Sequence, residues 1–153
     1  MMVFRALKQL YMQTQNFKNH SQIVPGFHYG TLLLLVLVLI GSIVNLINSA
    51  HENLYSASLL VVLSIATIFL AFFARGFALK AQDRAIRAEQ NFRYFLATGK
   101  PLDPSLTMGQ IIALRFAGDD EFIALAAKAV TDKMSSKEIK MAIQHWKGDY
   151  NRV

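Results

Sequence analysis

The chain has 153 residues, a net charge of +6 and no cysteine. It is 54% hydrophobic, with a mean hydropathy of +0.32. Lack of cysteine excludes disulfides and thiolate metal sites, and the length outside the two apolar stretches described below leaves room for one small domain only. The basic excess alone fits nucleic acid or a membrane surface; where those residues fall along the chain argues against nucleic acid.

Residues 2–17 place Val3, Phe4, Leu7, Leu10, Tyr11, Thr14 and Phe17 at helical spacing, opposite Arg5, Lys8, Gln9, Gln13, Gln15 and Asn16. Segment 1–26 is therefore predicted to be an N-terminal amphipathic segment lying in the membrane interface. The same stripe also fits packing on the chain's own cytoplasmic domain. Pro25-Gly26 breaks the segment before the first apolar stretch. A cleavable signal peptide is not expected, because the start is amphipathic and the apolar stretch begins late and runs long.

Residues 31–47 and 54–74 contain no Lys, Arg, Asp or Glu. Each is long enough to cross a bilayer core, which takes roughly 20 apolar residues. With Phe27, Tyr29 and Tyr55 at the headgroup level, the spans are predicted at about 27–47 and 54–74, within a transmembrane hairpin covering 27–76. The six-residue link at 48–53 forces antiparallel neighbours and is too short to hold a site, so His51 and Glu52 read as solvated. Arg5, Lys8 and Lys18 precede the first span; Arg75, Lys80, Arg84, Arg87 and Arg93 follow the second; the link has no Lys or Arg. By the positive-inside rule both termini are cytoplasmic. Arg75, Lys80, Arg84 and Arg87 then face anionic lipid headgroups, at about 1 kcal/mol per basic residue, or an acidic partner.

Ser64, Thr67, Ala71, Ala74, Ala78, Ala81, Ala85 and Ala88 recur at alternating steps of three and four. Such a seam of small residues lets two helix backbones approach, the way helices associate in lipid. Alanine's helix propensity gives the same enrichment without an interface. One continuous helix is predicted over 56–98, its part from 77 to 98 a cytoplasmic stalk, with Asp83 and Arg87 as an i,i+4 pair. Gly99-Lys100-Pro101 ends it.

A small helical cytoplasmic domain is predicted over 99–153. Its first helix opens on a Thr107-x-x-Gln110 capping box and runs through Phe116 to Gly118. Asp119 caps the second, with Asp120 and Glu121 suiting its positive end. The third opens on Ser135-x-x-Glu138 and carries Ile139, Ala142, Ile143 and Trp146. A core this small is expected to lean on the stalk, on a second copy or on a partner. Trp146, Tyr150 and Arg152 concentrate interface-prone residue types at the tail, which makes them a candidate docking surface; alternatively Trp146 completes the domain's core.

No phosphate loop, nucleophile elbow or His-Glu-x-x-His helix is present. His20, His28, His51 and His145 all fall outside membrane depth, which argues against haem, and His20 with His28 makes a weak metal pair. The spans hold no Lys, Arg, Asp or Glu, which disfavours transport. No cofactor and no catalytic residue is expected.

Asn19-His20-Ser21 with Pro25 and His28, Gln82-Asp83-Arg84, Gln110 to Ala117 and the ending Trp146-x-x-Asp149-Tyr150-x-Arg152-Val153 resemble a family of small bacterial two-span inner-membrane proteins classified only as a domain of unknown function. The resemblance runs from Asn19 onward and implies inner-membrane location with no assigned activity. The chain is thus expected to be all-α: an interfacial helix, a two-span hairpin, a stalk and a small domain. The function expected is a non-catalytic anchor or docking protein, as an accessory or assembly subunit of a membrane complex or a homo-oligomeric scaffold. A small oligomeric channel or transporter subunit is the alternative.

Overall fold

The computed structural model describes residues 15–19 and 24–149. A π-helical turn, Gly26–Thr31, leads into α1, Leu32–Ile47. A 3-10 turn, His51–Asn53, precedes α2, Leu54–Thr98, and three short helices follow: α3, Met108–Leu114; α4, Phe122–Thr131; α5, Ser136–Ala142. Among the described residues there is no strand, only an isolated antiparallel bridge between Ala117 and Trp146. The all-helical class is as expected, and two helices are long and apolar enough to cross a membrane.

The described chain divides into two compact units: residues 24–80, and residues 81–149 together with 15–19. In the first, burial recurs at steps of three and four on both helices. It falls at Leu35, Leu39, Ser42 and Leu46 of α1, and at Ala57, Val61, Ser64, Ile68 and Ala71 of α2. The two serines meet where these stripes cross, their Oγ atoms 3.4 Å apart. Each hydroxyl donates to its own helix, Ser42 to Leu39 O at 2.8 Å and Ser64 to Leu60 O at 2.7 Å. A hydroxyl in apolar surroundings is satisfied this way without leaving the helix. The Arg75 guanidinium lies 5.7 Å from the Phe27 ring.

In the second unit the two capping boxes form as their spacing requires. Thr107 Oγ1 accepts from Gln110 N, and Gln110 Oε1 from Thr107 N at 2.7 Å. Ser135 Oγ accepts from Glu138 N, and Glu138 Oε2 from Ser135 N at 2.6 Å. Gly99 stops α2 with a φ of +71°, a left-handed turn that an L side chain rarely tolerates. Three expectations are corrected. First, α3 ends at Leu114 rather than Gly118, because Phe116 O accepts from Lys147 N at 2.7 Å and Gly118 N donates to His145 O at 2.8 Å. These long-range bonds take backbone groups the helix needed. Second, Asp119 does not cap α4. The N-cap position belongs to Glu121, without a side-chain cap, and the acidic run is spent on tertiary partners. Third, residues 15–17, the end of the predicted 2–17 helix, are not helical; Asn19 Oδ1 accepts from Asn16 N at 2.6 Å and closes a turn. The rest of that helix lies outside the described residues.

Phe116, Phe122, Leu114 and Ile139 form the fully buried centre of this unit. Ile86 and Tyr94, both on α2, close it, Tyr94 edge-on to Phe122 at 6.1 Å between ring centroids. The small core thus borrows a wall from the long helix. Gly118 is fixed by crowding: a Cβ there would lie 2.5 Å from Asp120 Oδ1 and 3.0 Å from His145 O. We expect Gly118→Ala to destabilise this unit by about 1–3 kcal/mol. The check is amide hydrogen exchange in α3 and α5 of the full chain, which should accelerate while exchange in α1 is unchanged.

Candidate functional site

The second unit carries a groove of about 760 Å³ between the last turns of α2, the start of α4 and the stretch 147–149. Phe92 and Leu96 of α2 and Ile123 of α4 give it apolar walls that reach solvent. Its floor is built on Arg93. The guanidinium lies 4.0 Å above the Phe122 ring. Nε donates to Asp119 Oδ1 at 2.7 Å, Nη2 to Ala117 O at 2.8 Å and Nη1 to Gln90 Oε1 at 3.2 Å. The Arg93 hydrogen bond and charge hold the Asp119 carboxyl below its ordinary range, with Lys147 adding to the effect. Asp119 is itself well exposed, so the pair is screened by water and chiefly fixes geometry.

At the groove's other edge Arg115 is buried, 4.6 Å from the Phe116 ring, with Nη1 3.2 Å from Asp149 Oδ2. The Asp149 backbone is held by Gln15 on both sides: Asp149 N donates to Gln15 Oε1 at 2.8 Å, and Gln15 Nε2 to Asp149 O at 3.1 Å. An apolar trough with a charged rim, both arginines stacked on aromatic rings and ion-paired, is suited to holding a surface. Among the described residues no three His, Asp or Glu side chains gather as a metal site.

The residues singled out from sequence are dispersed. Ser64 is buried and Ala71 and Ala78 half-buried, whereas Thr67, Ala74, Ala81, Ala85 and Ala88 are exposed. Two heptad columns overlap here: one shares the positions that face the chain's own burial stripe, the other is offset from it by about one turn. Lys80 is exposed; Arg84 and Arg87, also exposed, flank a notch of about 360 Å³ with Asn91 and Asp103. Trp146 is half-buried with its ring 5.3 Å from that of Phe116, and so belongs to the edge of the core. Tyr150 and Arg152 lie outside the described residues. Sequence reading missed Arg93 and Arg115 as the groove's supports. Its one signal was the run Asp119-Asp120-Glu121, whose charge asks for basic partners.

The rest of that run is spent on 144–145. Glu121 accepts from Gln144 N at 3.0 Å and His145 N at 2.9 Å. The Asp120 carboxylate bonds the His145 ring. That bond, with the carboxylate's charge, raises the His145 pKa, and the same bond lowers that of Asp120. A raised His145 value means the pair's contribution is complete below the unfolded value of about 6.5 and is lost as pH rises through the folded one; Asp120's share is lost as pH falls through its own lowered value. We expect NMR to find His145 titrating above about 6.5, and Asp120→Asn to return it toward that value. An unshifted His145 in the parent chain contradicts the pairing.

No curated protein and no solved structure matches the chain. A family model matches from residue 12 to residue 153, so that both units, the groove and its Gln15 contact fall inside the matched region. The chain therefore belongs to DUF6526, a family of unknown function.

Proposed function

We propose that the protein is a non-catalytic membrane anchor that holds a helical docking unit at the inner face of the bacterial inner membrane. In this reading α1 and the first part of α2 are a two-span hairpin, with spans at about 27–47 and 54–74, and both termini are cytoplasmic. The docking unit serves a larger membrane-protein partner as an accessory or assembly subunit, or a second copy in a homo-oligomeric scaffold. Anionic headgroups meet Arg75, Lys80, Arg84 and Arg87.

One observation carries this reading. The outer faces of α1 and of residues 54–74 in α2 are apolar: Leu37, Leu63 and Phe69 are 55%, 62% and 57% exposed. Exposure on that scale is unfavourable in water and neutral in hydrocarbon, where the exposed side chains meet lipid tails. The second unit, by contrast, has a buried apolar centre around Phe116 and Phe122 and carries exposed charged side chains such as Asp119, Asp120 and Lys147. The Lys/Arg distribution supplies the orientation. The exposed column Thr67, Ala74, Ala81 and Ala88 supports close approach of a further helix.

Two experiments test it. A reporter fused after Val153 is expected to be cytoplasmic and one inserted at His51 periplasmic; the reverse pattern refutes the orientation. Purification from native membrane in mild detergent is expected to recover a stoichiometric larger subunit or a closed homo-oligomer. Ala74→Leu is expected to weaken that association, with Leu70→Ala as the control. A homo-oligomer with a water-filled axis that conducts ions would replace the anchor reading with a channel.

A further inference from the structure

In the second unit α2 meets the core along one side. Ile86 and Gln90 are buried there, and Tyr94 packs against the same core. At 3.6 residues per turn, Ile86 and Gln90 each stand about 160° around the helix from Ala88. The face centred on Ala88 is therefore turned away from the unit's own core. Ala81, Ala85, Ala88, Phe92 and Phe95 lie along it at steps of four and three, all exposed, the two phenylalanines to 61% and 50%. Apolar residues at that spacing occupy the a and d positions of a two-stranded coiled coil. With Ala85 and Phe92 at a, and Ala81, Ala88 and Phe95 at d, Arg84 falls at g and Glu89 at e of the next heptad. Both are exposed. These two positions face each other across a parallel pair in register, where opposite charges select the partner and its direction. One helix carries both halves of the ion pair, so two copies form it twice, as a two-fold interface requires.

We propose that this face of α2 is the seat of a second copy of the chain. The two helices pack parallel and in register over residues 81–95, with Arg84 of each copy set against Glu89 of the other. The proposal names the partner in the anchor reading and rests on it, because copies held in one membrane with one orientation present α2 in the same direction. The alanines let the backbones approach, and the rings of Phe92 and Phe95 from both copies bury the larger share of apolar surface. Leu96, 69% exposed, extends that cluster at the flanking e position. Each unit's core lies on the far side of its own helix, so both stay clear of the shared axis.

The absence of native cysteine makes the test direct. In native membrane vesicles holding the full chain, Ala81→Cys and Ala88→Cys, each alone, are expected to oxidise to disulfide-linked dimers. Lys128→Cys, exposed on α4, is expected to stay monomeric. An antiparallel pair would link one of the two α2 positions at most, and overturns the proposal. In the Ala88→Cys chain, Arg84→Glu is expected to cut the dimer yield several-fold and the added Glu89→Arg to restore it. A double swap that restores nothing overturns the proposal. So does a disulfide from Ala88→Cys to a different protein, or quenching of a Phe92→Cys fluorophore by brominated lipid, which gives the face to the membrane. Reporters at His51 and after Val153 are read on the same chains. No dimer with both termini cytoplasmic refutes the second copy alone, whereas reversed reporters refute the anchor reading.

Discussion

Arg93 is the side chain on which the second unit depends. Its planar guanidinium stacks on Phe122 and sends its donors to Asp119, the Ala117 carbonyl and Gln90. One residue thereby ties α2 to the first turn of α4 and to the bridge at Ala117. A cation over an aromatic ring contributes from about 0.5 kcal/mol when exposed to about 2 kcal/mol when desolvated, and Arg93 is mostly covered. Lysine would keep the charge and lose both the fork and the stack. Because Ile86 and Tyr94 enter the core from the same helix, the attachment is also what gives so short a set of helices a third side.

The first unit answers a different constraint. Most of its surface is apolar, and its hydroxyl groups are satisfied within their own helices. Ser42, Ser64 and Thr67 donate to carbonyls three or four residues back, and Asn48 and Ser49 do the same where α1 ends. The serine pair meets across the helices, at a separation that makes it a packing contact more than a bond. Close packing of small and branched residues therefore holds this pair. Phe69, Phe73 and Phe77 stack on one another along α2, with centroids 6.4 and 6.3 Å apart; they stabilise the helix locally and leave the inter-helix stripe to smaller side chains.

The two units also differ in how they treat backbone. Around Ala117 and Trp146 the chain gives up helix for two long-range backbone bonds, and Gly118 is needed because the strands of chain approach too closely for a Cβ. That junction carries the groove's far wall. Asp149 anchors Arg115 from one side and receives Gln15 on the other, so the site is assembled from residues more than a hundred positions apart.

What the sequence by itself determined is what short-range physics decides. Uncharged stretches of bilayer length, a link without Lys or Arg, two capping boxes and a terminating glycine are all readable, because each requires only residues within a few positions of one another. The heptad of small residues was readable as a pattern. Which of its columns would be covered was not, since Ser64 and Ala74 differ only in which way their neighbours lean. Asp119 looked like a helix cap because caps are local. Tertiary structure reassigned it to Arg93, whose guanidinium is held over Phe122 and donates to the Asp119 carboxylate. The same holds for Arg115, Asp149 and Gln15. Their meeting depends on the chain's return at 145–149, a non-local pairing that no spacing in the sequence encodes.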